Sequence, residues 1–346
     1  MKKASTLSTI FTIPALLCTL IRNVKRQQKF LQQELGPQLD DAMKNNDGSL
    51  DKDDIKKITH YYGLAVPCIL GEALCVLRGK AMTNQERLAL TYQGAMTGLF
   101  DDFFDKEKMT DEAVKAFMET PEQISGNNKR QQLFLQFYKK ALQYTHNRQL
   151  MLQYLRKVYD AQIESKKQAV GGMLPQDEIK RITVDKGGMS VLFYRSVLHN
   201  QLSKEEENAL YKMGGLMQFG NDIFDIYKDC RQHIDTLMTT AKKVNDVRII
   251  FRDMMETSFA SVYQTPYPRK NIKEFLRLFS MSLCARCFVC LDQLENKEIR
   301  SGGIFTPYQY GRNDLVCDMD KGRNKWRSVL YFIKSRGSKK KFFTGA

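Results

Sequence analysis

The placement of proline constrains the fold of this 346-residue sequence more than any other feature. Only eight prolines occur, and none lies between Pro67 and Pro121 or between Pro175 and Pro266. A proline inside a helix costs about 3 kcal/mol, so these two windows are where long unbroken helices can form. The alternation typical of strands is hard to find, and no repeat of fixed period is visible. The sequence therefore predicts an all-α protein.

Two short motifs mark the starts of the longest predicted helices. Thr83 and Glu86 in the first window, and Ser203 and Glu206 in the second, have the spacing of a capping box. Each motif predicts a helix of about twenty residues. Further helical patterns cover residues 130–164, 243–263 and 271–294.

The breaks between the helical patterns are short and unlike linkers between independent domains. They lie at residues 44–48, 171–175, 187–188 and 301–303. We therefore expect a single helical domain over residues 39–334, preceded by a basic amphipathic helix over residues 1–38 that packs on or beside it. A basic flexible tail is expected over residues 335–346.

The charge of the chain is concentrated at its two ends. The formal net charge is +15, of which residues 1–38 carry +5 and residues 321–346 carry +9, leaving about +1 for residues 39–320. A near-neutral body argues against nucleic acid as a partner. The basic termini instead suggest peripheral contact with an anionic membrane surface. The eight scattered cysteines do not form a disulfide scaffold and favour a cytoplasmic location.

The first acidic cluster lies near the end of the helix that begins at Thr83. It reads Asp101-Asp102-Phe103-Phe104-Asp105. Asp101 and Asp105 are four residues apart and therefore share a helix face. Two carboxylates among bulky apolar residues are unfavourable without a cation, so the cluster indicates a metal site.

The second acidic cluster lies near the end of the helix that begins at Ser203. Asn221, Asp225 and Asp229 recur at intervals of four residues, so their side chains point the same way with a drift of about 40° per step. Three oxygen ligands on one helix face suit a hard divalent cation such as Mg²⁺, which usually completes its coordination shell with water and substrate phosphate.

The two clusters together resemble the metal motifs of class I terpene synthases. The string from Asp101 to Asp105 resembles the aspartate-rich motif, often written DDxxD. The string Asn221-Asp222-x-x-Asp225-x-x-Lys228-Asp229 resembles the second motif, written N-D-x-x-S-x-x-K-E in bacterial members. The preceding Gly214-x-x-x-Gln218 is also similar to the corresponding helix of all-α isoprenyl diphosphate synthases.

This resemblance covers roughly residues 60–320 and implies the isoprenoid synthase fold, an antiparallel helical bundle around a deep apolar cavity. Its motifs are specific to the superfamily and not to a product. Asp225 and Asp229 depart from the terpene synthase pattern, which usually has Ser or Thr and Glu there. The paired arginine and the G-K-R string that bind isopentenyl diphosphate in chain-elongating enzymes are absent, as are the D-x-x-E-D motifs of squalene-type condensing enzymes.

The resemblance implies a Mg²⁺-dependent reaction on an allylic isoprenyl diphosphate. Asp101 and Asp105 would hold metal on one side and Asn221, Asp225 and Asp229 on the other, with three ions around the bound diphosphate. The supporting residues expected to orient these ligands through hydrogen bonds are Asp102, Asp222 and Gln218.

Four basic residues are candidates for binding the diphosphate. Lys228 lies inside the second motif, and Lys186 precedes Gly187-Gly188, which we interpret as a helix break. Arg181 competes with Lys186, and Arg312 resembles the late arginine that closes the site in terpene synthases. Thr97 and Gly94, one and two turns before Asp101, are small residues that would leave the substrate cavity deep, which suggests a substrate of twenty or more carbons.

The sequence leaves other functions open. A prenyl diphosphate synthase or a head-to-head condensing enzyme would share the fold. A catalytically silent helical protein could use the same cavity to bind a lipid or a protein partner. The motifs favour a terpene synthase, a lyase of isoprenoid biosynthesis, acting as a monomer or homodimer.

Overall fold

The computed structural model describes residues 2–169 and 174–337, without the side chains of 2–12, 105 and 335–337. The regular elements of these residues are all helices, and no strand occurs among them, which confirms the all-α prediction. The α-helices are α1 Lys2–Glu34, α2 Gly36–Lys44, α3 Lys52–Lys56, α4 Gly63–Ala65, α5 Glu72–Arg78, α6 Asn84–Asp105, α7 Asp111–Glu119, α8 Lys129–Tyr144, α9 Arg148–Ser165, α10 Gln176–Arg195, α11 Lys204–Arg231, α12 Val244–Val262, α13 Arg269–Phe279, α14 Ala285–Arg300, α15 Arg312–Leu315 and α16 Gly322–Gly337.

Several short helical segments of other types connect these helices. Segments of π-helix span Lys57–Tyr62, Val66–Gly71 and Ser280–Cys284, and segments of 3₁₀-helix span Pro121–Gln123, Lys166–Ala169 and Pro307–Gln309. The pattern predicted as one helix over 130–164 is two helices, α8 and α9, because Thr145–Asn147 interrupts it. The first three residues of the expected tail, 335–337, continue α16, and residues 338–346 lie outside the described part.

The chain divides into two compact units. The N-unit comprises Ala15–Arg156 and Phe193–Gln201, and the C-unit comprises the described residues of Met1–Pro14, Lys157–Leu192 and Leu202–Ala346. The domain boundaries expected at residues 38 and 334 stay predictions.

The N-unit is built around α6, which packs against α8 and against the helical stretch Lys52–Arg78. Its core contains an aromatic cluster in which the rings of Phe103 and Phe134 lie 4.8 Å apart. The stretch Lys52–Arg78 is long and apolar enough to span a membrane by length and composition, with a mean hydropathy of 1.4, but 56% of its most apolar window is buried. Buried core helices commonly have the same composition.

Prolines interrupt this fold less than expected. Pro14 lies inside α1, and Pro67 lies inside the π-helical segment Val66–Gly71 of a continuous helical stretch. Proline lacks the N–H that would bind the carbonyl four residues earlier, here that of Gly63. The buried amide of Gln27 donates a hydrogen bond to this carbonyl at 3.2 Å. The missing backbone partner is thereby replaced by a side chain from α1.

The C-unit is a set of packed helices in which α11 contacts α12 and α14, and α14 contacts α12 and α16. Its core includes Phe219 and Phe251, whose ring centroids lie 5.7 Å apart, and Phe288, which stacks on Tyr331 of α16 at 5.4 Å. Ser203 caps α11 by accepting a hydrogen bond from the Glu206 N–H at 3.2 Å. This cap starts the 28-residue helix that carries the second acidic cluster.

Candidate functional site

The first acidic cluster closes α6, which begins at a complete capping box between Thr83 and Glu86. Asp101 is half-buried and accepts a hydrogen bond from the Tyr62 hydroxyl at 3.4 Å. Asp105 is the last residue of α6, and its side chain lies outside the described part. The structure therefore places Asp101 beside a π-helical segment of the N-unit.

Asp102 is buried among ions. Its carboxylate pairs with Lys57 at 2.6 Å and with Lys106 at 3.4 Å. Burial and a shared hydrogen bond with Asp54 raise the pKa of Asp102. Although burial acts to raise it, the pKa of Asp54 is lowered by the hydrogen bonds that it shares with Asp102, Lys106 and Arg130. Asp102 thus belongs to an internal ion network that ties the end of α6 to α3 and α8, which leaves Asp101 as the more accessible carboxylate.

The second acidic cluster lies along one face of α11. Asn221 is exposed and donates a hydrogen bond from its side-chain amide to Asp225 at 3.2 Å. Asp225 is half-buried, and Asp229, one turn further on, is buried. The three side chains therefore form a line that runs from the surface into the C-unit.

Burial shapes the electrostatics of this line. It raises the pKa of Asp229 to about 7, with added repulsion from Asp222 and Asp225 and partial compensation by Lys228 and Lys186. None of the described side chains donates a hydrogen bond to the Asp229 carboxylate. Asp225 and Asp229 thus carry negative charge on a partly dry helix surface, and a divalent cation would supply compensating positive charge. The donor set fits Mg²⁺, which would be held by Asn221, Asp225 and Asp229.

Asp222 and Gln218 lie next to this line and interact with each other. The Gln218 amide donates to Asp222 at 2.8 Å, and the Thr183 hydroxyl of α10 donates at 3.4 Å. Burial raises the pKa of Asp222 to about 6. These contacts place Asp222 between α10 and α11, where it fixes the rotation of α11 and is not part of its exposed face. Sequence reasoning missed Thr183, because no motif links it to α11.

The interpretation of Gly187-Gly188 as a helix break was wrong. Helix α10 runs through both glycines, which lie where it crosses α11. A Cβ atom at Gly187 would lie 2.1 Å from the Gly214 carbonyl oxygen, and one at Gly188 would lie 2.3 Å from the Tyr211 ring. The glycines therefore allow two backbones to meet, and the charge of Lys186, which precedes them on α10, acts to lower the pKa of Asp222 and Asp229.

Arg181, the competitor of Lys186, is engaged elsewhere. Its guanidinium forms ion pairs with Glu164 at 2.8 Å, Glu178 at 2.7 Å and Asp185 at 3.0 Å. Arg312 is exposed at the first turn of α15, beside the contact between the Gly311 N–H and Asp314. Of the four basic candidates, Lys228 and Lys186 are the two whose charge acts to lower the pKa of Asp229, against the effect of its burial.

Gly94 does not line a cavity, contrary to the interpretation of the sequence. A Cβ atom there would lie 2.6 Å from the Tyr62 carbonyl oxygen and 3.3 Å from the Gly63 Cα. Gly94 lets α6 contact the π-helical stretch directly. The Thr97 hydroxyl donates to the Gln93 carbonyl at 2.9 Å and accepts from Tyr194 at 3.0 Å. Both residues therefore serve packing within the N-unit, and the inference of a long substrate loses its structural basis.

The C-unit contains an apolar cavity of about 250 Å³, but none of the predicted site residues lines it. Its walls come from α12, α14, α16 and the π-helical segment Ser280–Cys284. Three or more His, Cys, Asp or Glu side chains arranged to hold a metal do not occur among the described residues, which exclude the side chain of Asp105. Comparisons with protein-family models, curated proteins and solved structures find no match for this chain.

Proposed function

We propose that this chain is a class I terpene synthase that ionises an allylic isoprenyl diphosphate and then cyclises the cation or eliminates a proton from it. The observation that carries the proposal is the line of Asn221, Asp225 and Asp229 along one face of α11, with Lys186 and Lys228 close to it. The aspartate-rich string ending α6 supports the same assignment by its resemblance to the family.

The proposed reaction begins when the allylic C–O bond breaks and its electron pair leaves with the diphosphate. Bound Mg²⁺ would neutralise charge on this leaving group. Lys186 and Lys228 would donate hydrogen bonds to phosphate oxygens. Asn221, Asp225 and Asp229 would hold the metal, and the resemblance to the family gives a metal-binding role to Asp101 as well. The carbocation then loses a proton to give an alkene, either directly or after closing a ring with a substrate double bond, and the proton passes to the released diphosphate or to water.

The test is turnover of allylic diphosphates of about ten to thirty carbons with Mg²⁺, followed by measuring diphosphate release and hydrocarbon products. We expect Asn221→Ala and Asp225→Ala to lower kcat/KM by about 100-fold or more, because each removes a metal ligand. Asp253→Asn, an exposed residue of α12, is the matched control and should retain activity within about twofold. Full activity in both site variants would refute the assignment.

Three other outcomes would each favour one of the alternative functions. Products formed only when isopentenyl diphosphate is added would indicate a prenyl diphosphate synthase, and coupling of two allylic molecules would indicate a head-to-head condensing enzyme. Absence of turnover with every substrate, in protein shown to be folded, would favour a silent helical protein that binds a lipid or a partner.

A further inference from the structure

A second charged feature of the C-unit lies between α14 and α16, apart from the acidic line on α11. The two helices run antiparallel. Phe288 of α14 stacks on Tyr331 of α16, and Asp292, one turn after Phe288, pairs with Arg327, one turn before Tyr331. Near the end of α14 and the start of α16 the surface opens into a polar cleft of about 400 Å³.

Basic side chains dominate this cleft. Its walls contain five basic residues and a single acidic one, and they are Gln293, Asn296, Lys297, Arg300, Asn313, Asp314, Lys321, Arg323, Asn324 and Arg327. Lys297 is neutralised by Asp314 at 3.1 Å, and Arg327 by Asp292 at 2.5 Å. Arg300, Lys321 and Arg323 are exposed and form no ion pair with the described residues. The cleft therefore presents uncompensated positive charge in a concave site, which suits a phosphate-bearing anion.

Exposed apolar side chains accompany the basic residues of the cleft. Trp326 is 62% exposed and Leu330 is 37% exposed, and both lie on α16. At 100° per residue, Trp326, Leu330, Arg323 and Arg327 fall within a stripe about 100° wide. Ile299 of α14 is 67% exposed and precedes Arg300 in the sequence, about 100° round the helix from it. Aromatic and aliphatic side chains interleaved with cations are typical of surfaces that contact the headgroup region of a bilayer.

We propose that this surface, the basic cleft together with Trp326, Leu330 and Ile299, docks the protein on membranes that contain anionic phospholipids. The phosphate of a headgroup would occupy the cleft between Arg300 and Arg323, and the apolar side chains would enter the interfacial layer. Nucleic acid explains the charge of the cleft but not the exposed aliphatic residues beside it. The proposal stands on described residues alone and does not depend on the proposed catalytic function.

Trp326 provides a direct measurement, because it is the only tryptophan of the chain. The full-length protein is titrated with vesicles of phosphatidylcholine alone and with vesicles containing about 30% phosphatidylglycerol. We expect a blue shift of tryptophan emission and co-sedimentation with the anionic vesicles only, both reduced at least about tenfold by 0.5 M salt. An unchanged emission spectrum with anionic vesicles would overturn the proposal.

Two double variants with equal changes of net charge distinguish binding at the cleft from a general attraction between the basic protein and anionic vesicles. Arg300→Glu with Arg323→Glu should weaken binding to anionic vesicles at least about tenfold. Lys270→Glu with Lys273→Glu, exposed residues of α13, changes the net charge equally and should weaken it much less. Equal losses in the two double variants would overturn the proposal. Circular dichroism checks their fold, and Lys321→Gln provides a milder change if a double variant unfolds.

Inorganic phosphate distinguishes a membrane surface from a soluble ligand. We expect 10 mM phosphate to leave vesicle binding within about twofold of its value in chloride of equal ionic strength, because the apolar residues contribute to bilayer contact. Displacement of the protein from the vesicles by phosphate, together with tight binding of phosphate in their absence, would show that the cleft serves a free phosphorylated ligand and would contradict the membrane assignment.

Discussion

At Pro67 a helix continues through a residue that cannot donate a backbone hydrogen bond, and the explanation lies in the side chain of Gln27. Its amide nitrogen donates to the Gly63 carbonyl at 3.2 Å and to the Thr91 hydroxyl at 2.9 Å, and its oxygen accepts from Arg87 at 2.9 Å. All of these contacts are internal to the N-unit. One fully buried glutamine thus satisfies a carbonyl that the chain sequence leaves without its usual partner.

Replacing Gln27 by Ala should lower the free energy of unfolding by about 2–4 kcal/mol, because the Gly63 carbonyl and part of the Arg87 guanidinium lose buried partners. Urea denaturation followed by circular dichroism measures the loss. Gln28→Ala changes the neighbouring exposed glutamine and should stay within about 0.5 kcal/mol of the parent protein. Equal effects of the two substitutions would show that the hydrogen bonds of Gln27 are not important for stability.

Helices with an explicit start signal were predictable from the sequence, and their interruptions were not. The capping box at Thr83 and the serine cap at Ser203 correctly located the starts of α6 and α11. The hydrogen bond to the carbonyl four residues before Pro67 comes from Gln27, which lies 40 residues before the proline in the sequence, so local rules could not reveal it. Two adjacent glycines such as Gly187-Gly188 are compatible both with a helix break and with a close crossing of two helices. The sequence of α10 alone does not distinguish these structures, because a crossing depends on the partner helix.

The crossing of α10 and α11 leads to a prediction about this pair. Gly187→Ala should destabilise the protein by about 2 kcal/mol or more, because the added methyl would lie 2.1 Å from a backbone oxygen of Gly214 that cannot rotate away. The intrinsic helix preference for alanine, about 1 kcal/mol, opposes this loss. Gly36→Ala is the control, since no atom lies within 4 Å of the new Cβ. Thermal unfolding of the three proteins compares them, and a Gly187→Ala protein as stable as its parent would contradict the close crossing.

For the molecule as a whole, the sequence indicated the acidic line on α11 but not the neighbouring residues of α10 that contact it or are engaged elsewhere. Spacing alone placed Asn221, Asp225 and Asp229 on one face, because helical periodicity is a local property. The contribution of Thr183 and the engagement of Arg181 by three acidic residues depend on tertiary packing and had no sequence signal. The net charge of +15 pointed to the chain ends, and Lys321, Arg323 and Arg327 of the cleft do belong to the basic end at 321–346, but nothing in the sequence indicated that Lys297 and Arg300 of α14 line the same cleft.

Ligand-linked stability can test the metal-binding role of each acidic cluster. Mg²⁺ with inorganic diphosphate, the product of the proposed ionisation, binds only folded protein and should stabilise it by about 2.7 kcal/mol at 100 times its Kd, raising Tm by about 3 °C or more. We expect Asn221→Ala, in the C-unit, to lose most of the shift, and the family resemblance predicts a loss in Asp101→Ala, in the N-unit, as well. Asp253→Asn should retain the shift. If only Asn221→Ala loses the Tm shift, the acidic line on α11 binds the ligand alone. If neither variant loses the Tm shift, diphosphate binds elsewhere and the proposed site is wrong.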